Sequence, residues 1–136
     1  MAVISEIIKQ EPDGSISFGN HLARDKQKKD GFDVSGDIYK VRTYKEVTRL
    51  EKNDVLLLES IPGCSVFNFR ADGKNASFKA EGNGDTSLTV ELTPETEYTI
   101  CIDGECDMSC RANKSGKISF STDLSAPKNV KIQATD

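Results

Sequence analysis

The sequence predicts an all-β chain, an antiparallel β-sandwich or barrel, and three observations support that class. Turn signals recur every ~8 to 12 residues, among them Pro12-Asp13-Gly14, Asp30-Gly31, Ser35-Gly36, Asn53-Asp54, Pro62-Gly63, Asp72-Gly73, Gly82-Asn83-Gly84, Asp103-Gly104 and Ser115-Gly116. The segments between them are rich in Val, Ile, Thr, Phe and Tyr and mostly alternate apolar with polar, as half-buried strands do. No window of eleven or more residues carries an unbroken apolar stripe at helical spacing.

In chain order, the clearest predicted strands are Ile38 to Val41, Glu46 to Leu50, Val55 to Glu59, Ser77 to Ala80, Ser87 to Leu92, Tyr98 to Ile102 and Lys117 to Ser121. The stretch Asn20 to Lys29 offers only Leu22 and Ala23 for burial and reads as a loop or an extended edge. The sharp Ile61-Pro62-Gly63 break suggests an N-terminal β-meander over 1–61 and a C-terminal sandwich-like unit over 62–136, or one continuous domain.

Charge narrows the partners. The formal net charge is −4, whereas gripping a phosphate backbone needs a concentrated basic face. The densest basic stretch, Arg24 to Asp30, is interrupted by Asp25 and Asp30 and has no adjacent aromatic for stacking a base. Nucleic acid is therefore not expected. Nor is a membrane span, since the longest apolar run, Val55-Leu56-Leu57-Leu58, falls far short of the ~20 residues a spanning helix needs. Residues 1–10 show no positive n-region, and Glu6 and Lys9 interrupt the apolar character, so the expected location is cytoplasmic.

Three of the four cysteines, Cys101, Cys106 and Cys110, fall within ten residues. Strand parity puts Tyr98, Ile100 and Ile102 on one inward face and Cys106, Met108 and Cys110 on one face of the following segment. A two-residue Asp103-Gly104 turn would bury Glu105 and Asp107, so a three-residue loop pairing 101 with 105 is preferred. Cys101 then faces away from Cys106, which disfavours a bridge between them, while Cys106 and Cys110 stand ~13 Å apart along a strand. The expectation is of small, buried or half-exposed thiols. A disulfide involving Cys64, or a metal or redox site using Cys101, Cys106 and Cys110, remains as an alternative. The acids Asp103, Glu105 and Asp107 read as the wet face of the hairpin rather than as calcium ligands.

Catalytic signatures are scarce. His21 is the only histidine, so any Ser-His-Asp or Cys-His centre would have to be built on it. The nucleophile elbow, Walker loop, dinucleotide fingerprint and zinc-protease helix are all missing from the sequence. No catalytic residue and no cofactor is assigned. The function expected is that of a non-catalytic β module acting by protein–protein contact, self-assembly or glycan binding. Its partners would be a protein or further copies of itself, since strand edges need covering. Phe67 and Phe69 are the candidate binding aromatics, one of them expected in the core.

The run Glu97 to Gly104, followed by Asn113 to Ser121, resembles the closing β-sandwich modules of some polysaccharide-active bacterial proteins. With Asp13 to Asn20, Gly36 to Val41, Thr48 to Lys52 and Glu59 to Gly63, the chain resembles small proteins of anaerobic bacteria labelled "endosialidase" over nearly its full length. The resemblance implies a β architecture. A sialidase activity would bring an arginine trio, a tyrosine nucleophile and Trp-containing Asp-boxes, and this chain has five Arg, three Tyr, no Trp and no Asp-box.

Overall fold

A computed structural model of the chain describes residues 7–72 and 74–135. Most of the N-terminal stretch read for a leader lies outside the described residues, as does Gly73 of the Asp72-Gly73 turn.

Thirteen strands follow one another among the described residues: β1 (Ile8–Gln10), β2 (Ile16–Phe18), β3 (Gln27–Val34), β4 (Asp37–Tyr44), β5 (Val47–Lys52), β6 (Val55–Ile61), β7 (Cys64–Ala71), β8 (Asn75–Gly82), β9 (Asp85–Glu91), β10 (Glu97–Ile102), β11 (Glu105–Arg111), β12 (Lys117–Asp123) and β13 (Lys128–Ala134). They form two antiparallel sheets, in the order β1-β2-β7-β8-β13-β10-β11 and β12-β9-β6-β5-β4-β3. Every strand expected from the sequence coincides with one of these elements, although Glu46 falls one residue before β5 and Leu92 one residue beyond β9. Asn20 to Lys29 is a loop that runs into β3, an edge strand, as expected.

Period-two patterning explains which faces meet. In β4, Tyr39, Val41 and Thr43 are buried while Arg42 is exposed, and in β12 Ile118 and Phe120 are buried while Ser119 and Ser121 are exposed. The inward rows of both sheets, including Phe18, Val66, Phe78, Ile100 and Ile132 from one and Val41, Leu50, Leu58, Leu88 and Ile118 from the other, form one core cluster. Strands from either side of Pro62 interleave in both sheets: β2 pairs with β7 and β6 with β9. The described residues on either side of Pro62 thus share a single core.

The tight hairpins follow local chemistry. Ser35-Gly36, Asn53-Asp54 and Asp103-Gly104 all have positive φ at both turn residues, the conformation that matches the right-handed twist of paired strands. At Gly63 the requirement is space, since a Cβ there would sit 1.9 Å from the Tyr44 carbonyl oxygen.

A chain of buried hydroxyls ties the two sheets together at that same end. Thr43 Oγ1 accepts from the Asn20 amide at 2.8 Å and lies 2.7 Å from Thr48 Oγ1. Thr48 in turn donates to the Cys64 carbonyl at 2.9 Å and accepts from the Cys64 amide at 3.1 Å. Each hydroxyl has one proton, so Thr48's bond to the carbonyl makes Thr43 the donor between the threonines. The accounting closes with no donor stranded.

Candidate functional site

An open cleft of about 970 Å³ lies at one end of the sandwich. Ile16, Tyr39, Leu57, Phe69, Ala76 and Leu92 supply its apolar lining. Its charged side chains are Asp13, Asp72 and Glu91 against Lys52, Arg70 and Lys131, and Asn75, Gln133, Ser77 and Thr93 add neutral donors and acceptors.

A bulge in β7 builds one wall. Asn68 takes a left-handed φ of 56°, and the β7–β8 register jumps from Phe67↔Lys79 to Arg70↔Ser77. Simple alternation would turn residue 69 outward and residue 70 inward. The extra residue reverses this, burying Phe69 and freeing Arg70 to reach the rim. Asn68 suits the position because its short polar side chain tolerates left-handed backbone. The bulge is held by hydrogen bonds from the Asn68 amide to Ser17 Oγ (3.0 Å) and from Asn68 Nδ2 to Ser15 Oγ (3.1 Å).

Arg70 then clamps the β1–β2 turn, its Nη2 lying 2.9 Å from Asp13 Oδ2 and 3.0 Å from the Asp13 carbonyl oxygen. The Ser15 hydroxyl and amide both donate to the Asp13 carboxylate, and with Arg70 beside them they hold its pKa down to about 2. The rim therefore carries a fixed ion pair over an apolar floor.

The two candidate aromatics part company. Phe69 is 5% exposed, packs edge-on to Phe18 at 5.9 Å and against Phe78 at 5.7 Å, and contributes to the cleft floor. Phe67 is half-buried on the other face of β7 and does not line the cleft. The sequence reading missed Asp13, Tyr39, Arg70 and Asn75 as cleft residues. The one hint available was an asparagine set between two phenylalanines, a residue type that tolerates left-handed backbone but does not by itself specify a bulge.

The cysteine expectation is overturned. Cys101 and Cys106 form a disulfide, and Cys64 and Cys110 are free. The hairpin has the two-residue Asp103-Gly104 turn after all, pairing Ile102 with Glu105. A register shift then sets Cys101 opposite two residues, Cys106 and Asp107, before Ile100 pairs with Met108. The bulge thus lies within β11, not in the loop. It returns Met108 and Cys110 to the Tyr98 side, as expected, while leaving Cys106 on the side of Cys101. With both sulfurs in the bridge, neither is a thiolate free to ligate a metal. No group of three or more His, Cys, Asp or Glu among the described residues is placed to hold a metal ion. Asp103, Glu105 and Asp107 are all exposed, and Asp103 Oδ1 is engaged by the Asn129 amide at 2.8 Å. Cys64 is fully enclosed, which pushes its thiol pKa up to about 12 and leaves it a neutral packing group.

His21 lies outside the cleft. Its Nδ1 is 2.8 Å from Ser65 Oγ, and Glu81, the cross-strand partner of Ser65, acts on it electrostatically. The trio has the residue types of a hydrolase, but His21 and Ser65 are only 3% and 2% exposed. Burial lowers the His21 pKa against the opposing pull of Glu81. Because Asn83 Nδ2 also donates to the His21 carbonyl at 3.0 Å, the cluster fastens the 19–25 loop to β7 and β8.

No family model matches the chain, and no solved structure matches it.

Proposed function

We propose that the chain is a non-catalytic recognition module that holds a neutral, polyhydroxylated ligand of the glycan class in the cleft at the end of the sandwich. The observation that carries this reading is the balance of the lining, with three acids, three bases and several amides and hydroxyls surrounding apolar side chains. A site for an anion or a cation would be biased to one sign. A sugar instead presents hydroxyls that both donate and accept, together with apolar ring faces, and this lining has matching groups for each. The volume is in the range of small-molecule sites.

Titrating isotopically labelled protein with a panel of neutral and sialylated oligosaccharides, read by amide chemical shifts, tests the proposal. Neutral sugars should perturb Arg70, Asn75 and the strands around Tyr39 and Leu57, and Asn75→Ala should weaken binding by about tenfold, the cost of one polar contact. Binding restricted to acidic sugars, or perturbation confined to surfaces away from the cleft, would refute it.

A further inference from the structure

We infer that β12 is a self-pairing edge, through which two copies of this chain join their six-stranded sheets about a two-fold axis. Of the four sheet edges among the described residues, three are blunted. β1 is three residues long. β3 carries Lys28, Lys29 and Asp30 and has a register shift between Lys29 and Phe32. β11 is opposed by the shift between Ile100 and Ile102 and carries Glu105 and Asp107. Bulges and charges of this kind are how proteins keep edges from pairing. β12 has neither device at its centre, because it matches β9 residue for residue from Lys117↔Glu91 to Asp123↔Asp85 without a shift.

The backbone phase says which groups point outward. Leu92 donates to the Gly116 carbonyl at 2.7 Å and Leu124 to the Gly84 carbonyl at 2.9 Å, so the even-numbered residues of β12 bond to β9. The odd-numbered residues aim their amides and carbonyls away from the sheet. At Lys117 both backbone groups are taken by Asn113, which leaves Ser119, Ser121 and Asp123 to present theirs to a further strand.

The sequence of this strand, Lys117-Ile-Ser-Phe120-Ser-Thr-Asp123, is self-complementary when run antiparallel to itself about Phe120. That register sets Lys117 opposite Asp123 of the second copy at both ends, Ser119 opposite Ser121, and Phe120 opposite Phe120. It also brings outward-pointing backbone groups face to face, so each Ser119–Ser121 pair can exchange both backbone hydrogen bonds. Registers shifted by two residues in either direction keep the backbone match but separate the opposite charges. On the outer face, Ser87 and Ser121 are 3.1 Å apart and Thr89 and Ser119 are 2.9 Å apart. Pairing would prolong this hydroxyl row across the axis. A second copy is thus the occupant that matches the edge in charge, register and side-chain size.

Sedimentation or light scattering of the full chain, followed from micromolar to millimolar concentration, should show the mass rising from one chain to two. Ser121→Pro removes an outward amide without touching the β9 ladder, so it should keep the thermal midpoint near that of the parent and abolish the rise. Lys117→Asp and Asp123→Lys each set like charges opposite one another at both ends, and each alone should associate about tenfold more weakly. An equimolar mixture of those two variants restores opposite charges at both ends of a mixed dimer, so its mass should return to that of two chains. A wild-type chain that stays monomeric throughout, a dimer indifferent to Ser121→Pro, or a mixture no heavier than its components would each overturn the inference.

Discussion

Replacing Thr48 with valine isolates the contribution of the buried hydroxyl chain, because the two side chains have nearly the same shape. Thr48 is fully buried and serves three bonds: it donates to the Cys64 carbonyl and accepts from the Cys64 amide and the Thr43 hydroxyl. Valine removes all three. Two donors, the Cys64 N–H and the Thr43 O–H, then stay out of water without an acceptor. Each buried polar group left unpaired costs about 1–3 kcal/mol, and Thr43 can recover part of its share by rotating its hydroxyl. The added methyl returns less than about 1 kcal/mol. The expected loss is about 2–4 kcal/mol, a large fraction of the ~5–15 kcal/mol that holds a domain together. Guanidinium unfolding should show a lowered midpoint at an unchanged slope. Thr43→Val together with Thr48→Val also removes the stranded hydroxyl, so the pair should cost about 1 kcal/mol less than the sum of the singles. A Thr48→Val variant within about 0.5 kcal/mol of the parent, or strict additivity of the pair, would refute the assignment of these bonds.

Two further outcomes follow from the cysteines and the histidine. The Cys101–Cys106 bridge closes a loop only five residues apart in sequence, and chain entropy assigns such a loop about 2 kcal/mol. Reductant or Cys106→Ser should lower the unfolding free energy by that amount, and alkylation of denatured, unreduced protein should label only Cys64 and Cys110; labelling of all four thiols would rule out the bridge. The His21 pKa is lowered by burial, so the unfolded chain binds the proton more readily than the folded one. Stability is therefore complete above the ordinary histidine pKa of about 6.5, declines as the pH falls through it, and levels off below the folded pKa. His21→Gln should flatten that segment of the stability profile, and an unchanged slope would place the titrating group elsewhere.

Local chemistry determined which residues form strands and where the chain reverses. Alternation has a period of two and turn conformations depend on single residues, so both are written in short windows of sequence. Ser35-Gly36 and Asn53-Asp54 could be placed as turns before any partner strand was known, as could the inward direction of Tyr98, Ile100 and Ile102, whereas at Asp103-Gly104 the reversal was legible but its loop length was not. The order of strands within the two sheets was not legible, since β13 lies between β8 and β10 and β2 beside β7 through contacts distant in the chain. Nor were the bulges at Asn68 and at Cys106-Asp107, and these decided the chemistry. A bulge is a mismatch between two strands, and a single extra residue inverts the facing of everything beyond it. One such residue buried Phe69 and sent Arg70 to the cleft rim, and another brought Cys106 round to Cys101. The alternation of side chains could therefore be read from the sequence alone, whereas the face each one reaches past a bulge was set by the strand lying next to it.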